Sequence, residues 1–427
     1  MLWLSDAIAR TAVKRATARA ITIFTIRTRF GNMELKSPRL EHCRCPPHAE
    51  KTFSPLQAIL PEHTSPEMLY LEVKWSSLLP YEVSGNLLHD VLPVNEKLSA
   101  VTMRHHLFAV GEGMEQELGE ERRSLIEGCE PDGEPLPIPD GPLTVGLDGG
   151  FVRARHQRGC FEVIAGQSVL EFKREDPEAE QSKKCFGFVQ TYDGKPRRRL
   201  FELLKSQGMA MNQQVTFLSD GGDDVRQVQQ YLNPEAEYWL DWFHITMRIT
   251  VMKQMAKGLT HEPRAPAERS SPQAEALAQK SIEKELQSLK WNLWHGNVER
   301  ALERIADLQW DLEFTIGKSE NQNKLLKQLR EFDTYIRNNQ DYIPNYGERY
   351  RNGERIATSF VESTVNQLVS KRMVKRQQMQ WTERGAHLLL QTRTRVLNGE
   401  LEETFRRWYP KFRPEMEVMP VALKPAV

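Results

Sequence analysis

Two apolar runs of this chain end in the same tripeptide. Leu143-Thr-Val-Gly-Leu-Asp-Gly-Gly150 and Val215-Thr-Phe-Leu-Ser-Asp-Gly-Gly222 each read as a buried strand that stops at Asp-Gly-Gly. An unpaired carboxylate in such a strand costs several kcal/mol unless a partner or cation offsets it. The bland reading of Asp148 is a turn former at the strand end, with Gly149 and Gly150 supplying the turn. Asp220 is the stronger ligand candidate, because Asp223 and Asp224 read as N-terminal residues of the next helix, favoured there by its dipole. A haloacid-type phosphatase also starts from a strand-terminal Asp but wants a second Asp two residues on, where this chain has Gly150 and Gly222.

A third acid stands in a helical pattern. In Thr358-Ser-Phe-Val-Glu-Ser-Thr-Val-Asn366, Ser359 can cap a helix whose Val361, Val365 and Leu368 form an apolar stripe, with Glu362 and Asn366 on a neighbouring face. An ordinary surface Glu in a first turn is the alternative. Asp148, Asp220 and Glu362 together are hard oxygen donors, which suit Mg²⁺ or Mn²⁺. Two such ions roughly 4 Å apart can activate water and stabilise a leaving 3′ oxygen in phosphodiester cleavage. Lys371, Arg372, Lys375 and Arg376 continue the helix and would put phosphate-binding charge beyond the acid.

Composition permits this reading without requiring it. The 427 residues, 39% of them apolar, predict two to four domains with a sizeable core. Basic and acidic residues balance at 58 each, so any nucleic-acid footprint must be local. One such patch is residues 1 to 40, where Arg10, Lys14, Arg15, Arg19, Arg27, Arg29, Lys36 and Arg39 face only Asp6 and Glu34. Five cysteines predict no disulfide framework, and with no stretch near the ~20 apolar residues of a membrane helix the expectation is a cytoplasmic protein without a membrane partner. The Arg-rich first twenty residues could imitate a transit peptide, but the alternating Ile21-Thr-Ile-Phe-Thr-Ile26 follows without a cleavage-like boundary.

Pro131-Asp-Gly-Glu-Pro-Leu-Pro-Ile-Pro-Asp-Gly-Pro142 cannot continue a helix and marks a domain boundary. Beyond it the pattern predicts strands at 143–149, 215–219 and 238–240, extended segments near 160–172 and 184–192, and helices near 196–208, 224–232 and from 243. This is an α/β order suggesting a mixed sheet covered by helices. Before it, His42-Cys-Arg-Cys-Pro-Pro-His48 offers His42, Cys43, Cys45 and His48 as a possible Zn²⁺ site, against the alternative of unliganded surface thiols. Residues 79–110 can form a helix-turn-helix with Arg104, His105 and His106 near its recognition surface, or a plain helical hairpin.

Gly146-Leu-Asp-Gly-Gly150, Leu218-Ser-Asp-Gly-Gly222, Leu240-Asp-Trp-Phe-His-Ile245 and Val361-Glu-Ser-Thr-Val-Asn366, in this order, resemble the insertion-sequence transposases of the ISKra type, relatives of the mutator-like DDE group. Pro66-Glu-Met-Leu-Tyr-Leu-Glu-Val-Lys-Trp75 and Leu92-Pro-Val94 extend the likeness upstream; residues 1 to 40 add nothing to it. The resemblance implies an RNase H-like mixed-sheet catalytic core at 143–250 and 356–408, with Asp148, Asp220 and Glu362 as ligands of two Mg²⁺ or Mn²⁺ ions. It also implies an all-helical insertion at 251–355, a mostly helical N-terminal DNA-binding region at 1–130 and a tail at 409–427. The activity implied is cleavage and strand transfer at the ends of a mobile element, by a homodimer or higher oligomer on double-stranded DNA. His244, which the family pattern places near the scissile phosphate, can equally be a structural residue held by Asp241. Trp291, Trp294 and Trp310 can stack on a flipped base or simply fill a core. Two other readings stay open: a nuclease on the same core that does not transpose, and a DNA-binding regulator without catalysis.

Overall fold

The computed structural model describes residues 18–41, 52–59, 63–94, 97–120, 143–170, 183–208, 215–222, 236–260, 272–314, 320–374 and 379–414. The protein is mixed α/β, and its chain forms two compact units: residues 1–119, 153–160 and 371–427 make the first, residues 120–152 and 161–370 the second. Among the described residues no helix is long and apolar enough to cross a membrane.

The first unit begins with strands β1 (Ala18–Thr28) and β2 (Gly31–Glu41), an antiparallel hairpin to which β3 (Thr52–Phe53) adds a third strand. The turn Arg29-Phe30 is closed by Gly31 at φ +106, a left-handed backbone that glycine adopts without steric cost. Alternation buries Phe24 and Ile26 and leaves Ile21 and Ile23 exposed. The mostly helical N-terminal region expected from the sequence therefore includes a three-stranded sheet. The missed strand, Gly31–Glu41, carries Pro38 and four charged residues, which obscure the alternation.

Helices α2 (Pro66–Leu78), α3 (Tyr81–Val91) and α4 (Ala100–Leu118) follow a short α1 (Pro55–Ile59). The Ser65 and Ser99 side chains cap α2 and α4 by accepting from the Met68 and Thr102 N–H groups. Helices α12 (Glu383–Leu397) and α13 (Leu401–Trp408) belong to the same unit. Leu69, Tyr70, Val73, Val110 and Met114 share one core with Leu401, Phe405 and Phe412. The expected catalytic core included 356–408, whereas the division into compact units falls at 371, and Leu401, Phe405 and Phe412, the last in the expected tail, pack with the N-terminal helices.

The second unit is built on strands β4 (Leu143–Arg153), β5 (Cys160–Leu170), β6 (Lys184–Val189), β7 (Val215–Ser219) and β8 (Glu237–Leu240), hydrogen-bonded in the order β6-β5-β4-β7-β8. β5 and β6 are antiparallel, and β4, β7 and β8 run parallel. The six residues 154–159 are too few for a parallel crossover, so β4 and β5 form a hairpin. One face of β4 presents Leu143, Val145 and Leu147 to Leu200, Leu203 and Leu204 of α5 (Pro196–Ser206). The other face is cut back to Gly146 and Gly150. A Cβ at Gly146 would lie 2.3 Å from Val361, and one at Gly150 3.2 Å from Val365. Both valines belong to α11 (Ser359–Val365), which runs on as a π-helical segment, Asn366–Val374.

Beyond β8, α6 (Trp242–Lys257), α7 (Pro272–Trp294), α8 (Val298–Phe314), α9 (Glu320–Asn338) and α10 (Tyr346–Arg351) form the helical stretch expected from the sequence. Its core joins Ile249 and Met252 to Leu286, Leu289, Leu308, Leu325 and Phe332. Burying each such side chain contributes about 1.5–3 kcal/mol.

Candidate functional site

Asp148 stands on β4 between the two glycines that accept α11. Side chains alternate along a strand, so Gly146, Asp148 and Gly150 share the face on which Val361 and Val365 pack. Asp148 is half-buried and accepts the Gly149 N–H at 2.8 Å through its own Oδ1. Asp220 follows β7, the parallel neighbour of β4, and is exposed; its Oδ1 accepts the Gly222 N–H at 3.2 Å. Gly221, at φ +97, lets the chain turn there. Tyr335 of α9 donates from its hydroxyl to the Asp220 carbonyl at 3.0 Å, tying the helical stretch to this turn.

The electrostatics bind four groups into one field. Burial pushes Asp148 above the usual carboxylate value; the Gly149 N–H and His244 oppose the shift, and the charges of Asp220 and Asp241 add to it. His244 is raised first by its hydrogen bond to Asp241 and then, against the effect of burial, by the charges of Asp241, Asp220 and Asp148. Among the described residues no lysine or arginine forms an ion pair with Asp148 or Asp220. A carboxylate that disfavours its own charge, Asp148, beside a second one on the neighbouring strand and with no lysine or arginine paired to either among the described residues, is a donor set that fits a hard divalent cation.

Glu362 lies in α11 and is exposed, as the polar-face argument predicts. It is not among the groups that act on Asp148 or His244. Among the described residues the ligand atoms of Asp148, Asp220 and Glu362 do not all lie within 4.8 Å of one another. The expected cap differs as well: Ser359 is the first helical residue, and Thr358 before it makes no side-chain cap.

Thr358 instead serves Asp241. This fully buried aspartate caps α6 by accepting from the Phe243 N–H at 2.8 Å, and the same Oδ1 accepts the Thr358 N–H at 3.1 Å. Its Oδ2 takes the Thr358 hydroxyl and His244 Nδ1, the latter at 2.8 Å. One carboxylate thus fixes the start of α6, the approach to α11 and the His244 ring. The sequence suggested that Asp241 could hold His244. Its bond to Thr358 crosses 117 residues, and no local pattern carries it.

Several expected contacts fall elsewhere. Arg372, read as a phosphate contact, is 3% exposed, donates to the Ser76 carbonyl at 3.3 Å and lies over the rings of Tyr81 and Trp381 at 4.8 and 5.2 Å. It is buried between the Tyr81 and Trp381 rings and does not face solvent. Lys371 is exposed; Lys375 and Arg376 lie outside the described residues. Arg104 is exposed on α4, its guanidinium 5.9 Å from the Phe108 ring, but His106 is buried against Glu72 and not at a recognition surface. His42, Cys43, Cys45 and His48 lie outside the described residues. Of the three tryptophans, Trp294 packs on Trp242 at 5.0 Å, whereas Trp291 and Trp310 are 53% and 60% exposed. No protein-family model matches the chain, and no curated protein matches it in sequence.

Proposed function

We propose that this chain is a DDE-type transposase with an RNase H-like core, catalysing metal-dependent cleavage and strand transfer on double-stranded DNA. The observation that carries the reading is the placement of Asp148 and Asp220 on adjacent parallel strands: Asp148 stands within β4 and Asp220 directly follows β7, each two residues past the last β4–β7 pair, Gly146 and Leu218. The resemblance to the mutator-like group implies a first acid on the first strand and a second after the fourth; β4 and β7 are the first and fourth strands of this sheet in chain order, and the helical stretch between α6 and α10 stands where the insertion is expected.

Asp148 and Asp220 would hold Mg²⁺ or Mn²⁺, with Glu362 as the third carboxylate. Bound there, the cation supplies Lewis-acid charge for water attack and for the leaving 3′ oxygen. The chain's own groups do the positioning. Asp241 locks the His244 ring through Nδ1, and the raised proton affinity of that ring suits it to donate to a phosphate oxygen. Gly146 and Gly150 bring α11, and with it Glu362, onto the face of β4 that carries Asp148.

A strand-transfer assay with candidate element ends tests the reading. The expected result is Mg²⁺-dependent nicking followed by joining to target DNA, both abolished by Asp148→Asn and by Asp220→Asn with DNA binding retained. Nicking without joining leaves a nuclease on this core, and binding without nicking leaves a regulator.

A further inference from the structure

The strand that carries Asp148 ends in a basic turn, Arg153-Ala-Arg-His-Gln-Arg-Gly159, that leads into β5. Its backbone is pinned on both sides. The Ala154 N–H donates to the Gly159 carbonyl at 3.0 Å, while the Arg155 N–H donates to the Trp381 carbonyl and the Trp381 N–H to the Arg153 carbonyl, each at 2.9 Å. Gly159, at φ +110, closes the turn. Alternation then puts Arg153 and Arg155 on one side and the buried Ala154 on the other. With Gln380, these residues line a cleft of ≈ 510 Å³.

Two guanidinium groups of this cleft meet no acid among the described residues. Arg155, His156 and Arg158 are exposed, and among the described residues no carboxylate pairs with Arg155 or Arg158. Three arginines elsewhere in the same unit, by contrast, meet acids: Arg406 meets Glu402 at 3.1 Å, Arg407 meets Glu117 at 2.9 Å, and Arg395 meets Glu400 at 2.7 Å. Guanidinium groups on a fixed backbone, facing a cleft with no carboxylate among its described lining residues, suit a ligand that repeats anionic oxygens. Apart from His156, no aromatic side chain among the described residues lines the cleft, which gives no stacking platform of the kind that holds single strands.

We propose that this turn grips the sugar-phosphate backbone of double-stranded DNA. The choice of DNA rests on the proposed function; the charge argument for a phosphate polyanion stands without it.

The test uses the full chain and a short duplex of arbitrary sequence, with binding followed by fluorescence anisotropy across a salt series in the absence of divalent cation. Each phosphate contact contributes about −0.9 to the slope of log K against log salt. Arg155→Ala/Arg158→Ala is expected to flatten the slope by about two units and to weaken low-salt binding tenfold or more. Arg406→Ala/Arg407→Ala removes the same formal charge from paired sites and is expected to leave the slope unchanged. Melting temperatures near wild type for both variants establish that they fold. Equal slopes for wild type and Arg155→Ala/Arg158→Ala, equal losses in the two double variants, or a loss confined to single-stranded oligonucleotides would overturn the proposal. If the slope falls as expected but wild type does not nick DNA with Mg²⁺, the grip stands and the transposase reading fails.

Discussion

Asp241 and His244 are joined by a 2.8 Å hydrogen bond between Oδ2 and Nδ1, three residues apart on the first turn of α6. The bond orients the ring and favours its protonated form, as do the charges of Asp148 and Asp220. A group whose folded pKa is raised contributes its full stabilisation below its unfolded value and loses it as pH rises through the folded value. The wild type should therefore lose stability as pH climbs past 6.5, the ordinary value for His. Asp241→Asn should lower the His244 pKa in an NMR titration and flatten that decline in urea unfolding. A His244 titration unchanged by Asp241→Asn would show that another group sets it.

Asp148 shares this direction with pH but couples it to a cation. Its raised pKa comes first from burial, so the folded state stabilises the neutral acid, and that contribution fades as pH rises above the ordinary carboxylate value of 3.8. At neutral pH the ionised side chain is a liability that a bound cation reverses. Asp148→Asn should thus melt higher than wild type in EDTA. Added Mg²⁺ should raise the melting temperature of the wild type and leave that of Asp148→Asn unchanged. Equal Mg²⁺ shifts in both proteins would remove Asp148 from the metal site.

Gly146 is the position where geometry is least forgiving. A Cβ there would meet Val361 Cγ2 at 2.3 Å and Phe360 Cζ at 2.6 Å, so Gly146→Ala must displace the helix that carries Glu362. Overpacking of this kind costs about 1–3 kcal/mol. The expected outcome is a lower denaturation midpoint and a loss of DNA nicking larger than the stability change explains. Adding Val361→Ala should restore part of both, since it removes the nearer clash. A Gly146→Ala variant with full nicking activity would mean that α11 need not lie close to β4.

How much of this was legible in the sequence depends on how local the cause is. The runs leading to Asp148 and Asp220 are short, apolar and followed by glycines, so the bounds of β7 and the start of β4 could be read directly; β4 runs on to Arg153, past the expected end at 149, because the polar and glycine residues beyond Leu147 hide the strand signal. The helical stretch after β8 was equally plain, because Leu286, Leu289 and Leu293 recur at helical spacing. Arg372 shows the limit. Its neighbours Lys371, Lys375 and Arg376 suggested a solvated basic face, yet Tyr81 and Trp381 enclose it, and neither contact is periodic with it. The regrouping of α12 and α13 with α2 and α4 has the same origin. An apolar stripe states that a helix is covered, and Phe405 does not state that Tyr70 covers it.

The third acid remains the sharpest test of the proposed function. Glu348 and Glu354 are the competitors, and both have structural tasks. Glu354 pairs with Arg349 at 2.8 Å, and Glu348 takes the Asn345 amide at 3.4 Å while its N–H is capped by Asn345. Exposed pairs of this kind are worth ~0–1 kcal/mol and hold their acids in place for packing, not chemistry. Glu362 has no such partner among the described residues, and it lies between Val361 and Val365, the side chains that seat α11 on either side of Asp148. Glu362→Gln should abolish Mg²⁺-dependent nicking as completely as Asp148→Asn and Asp220→Asn, with its melting temperature in EDTA unchanged. Glu348→Gln and Glu354→Gln should stay within a few-fold of wild-type activity. Active Glu362→Gln beside inactive Glu354→Gln would move the third ligand to the loop before α11 and take the helix out of the site.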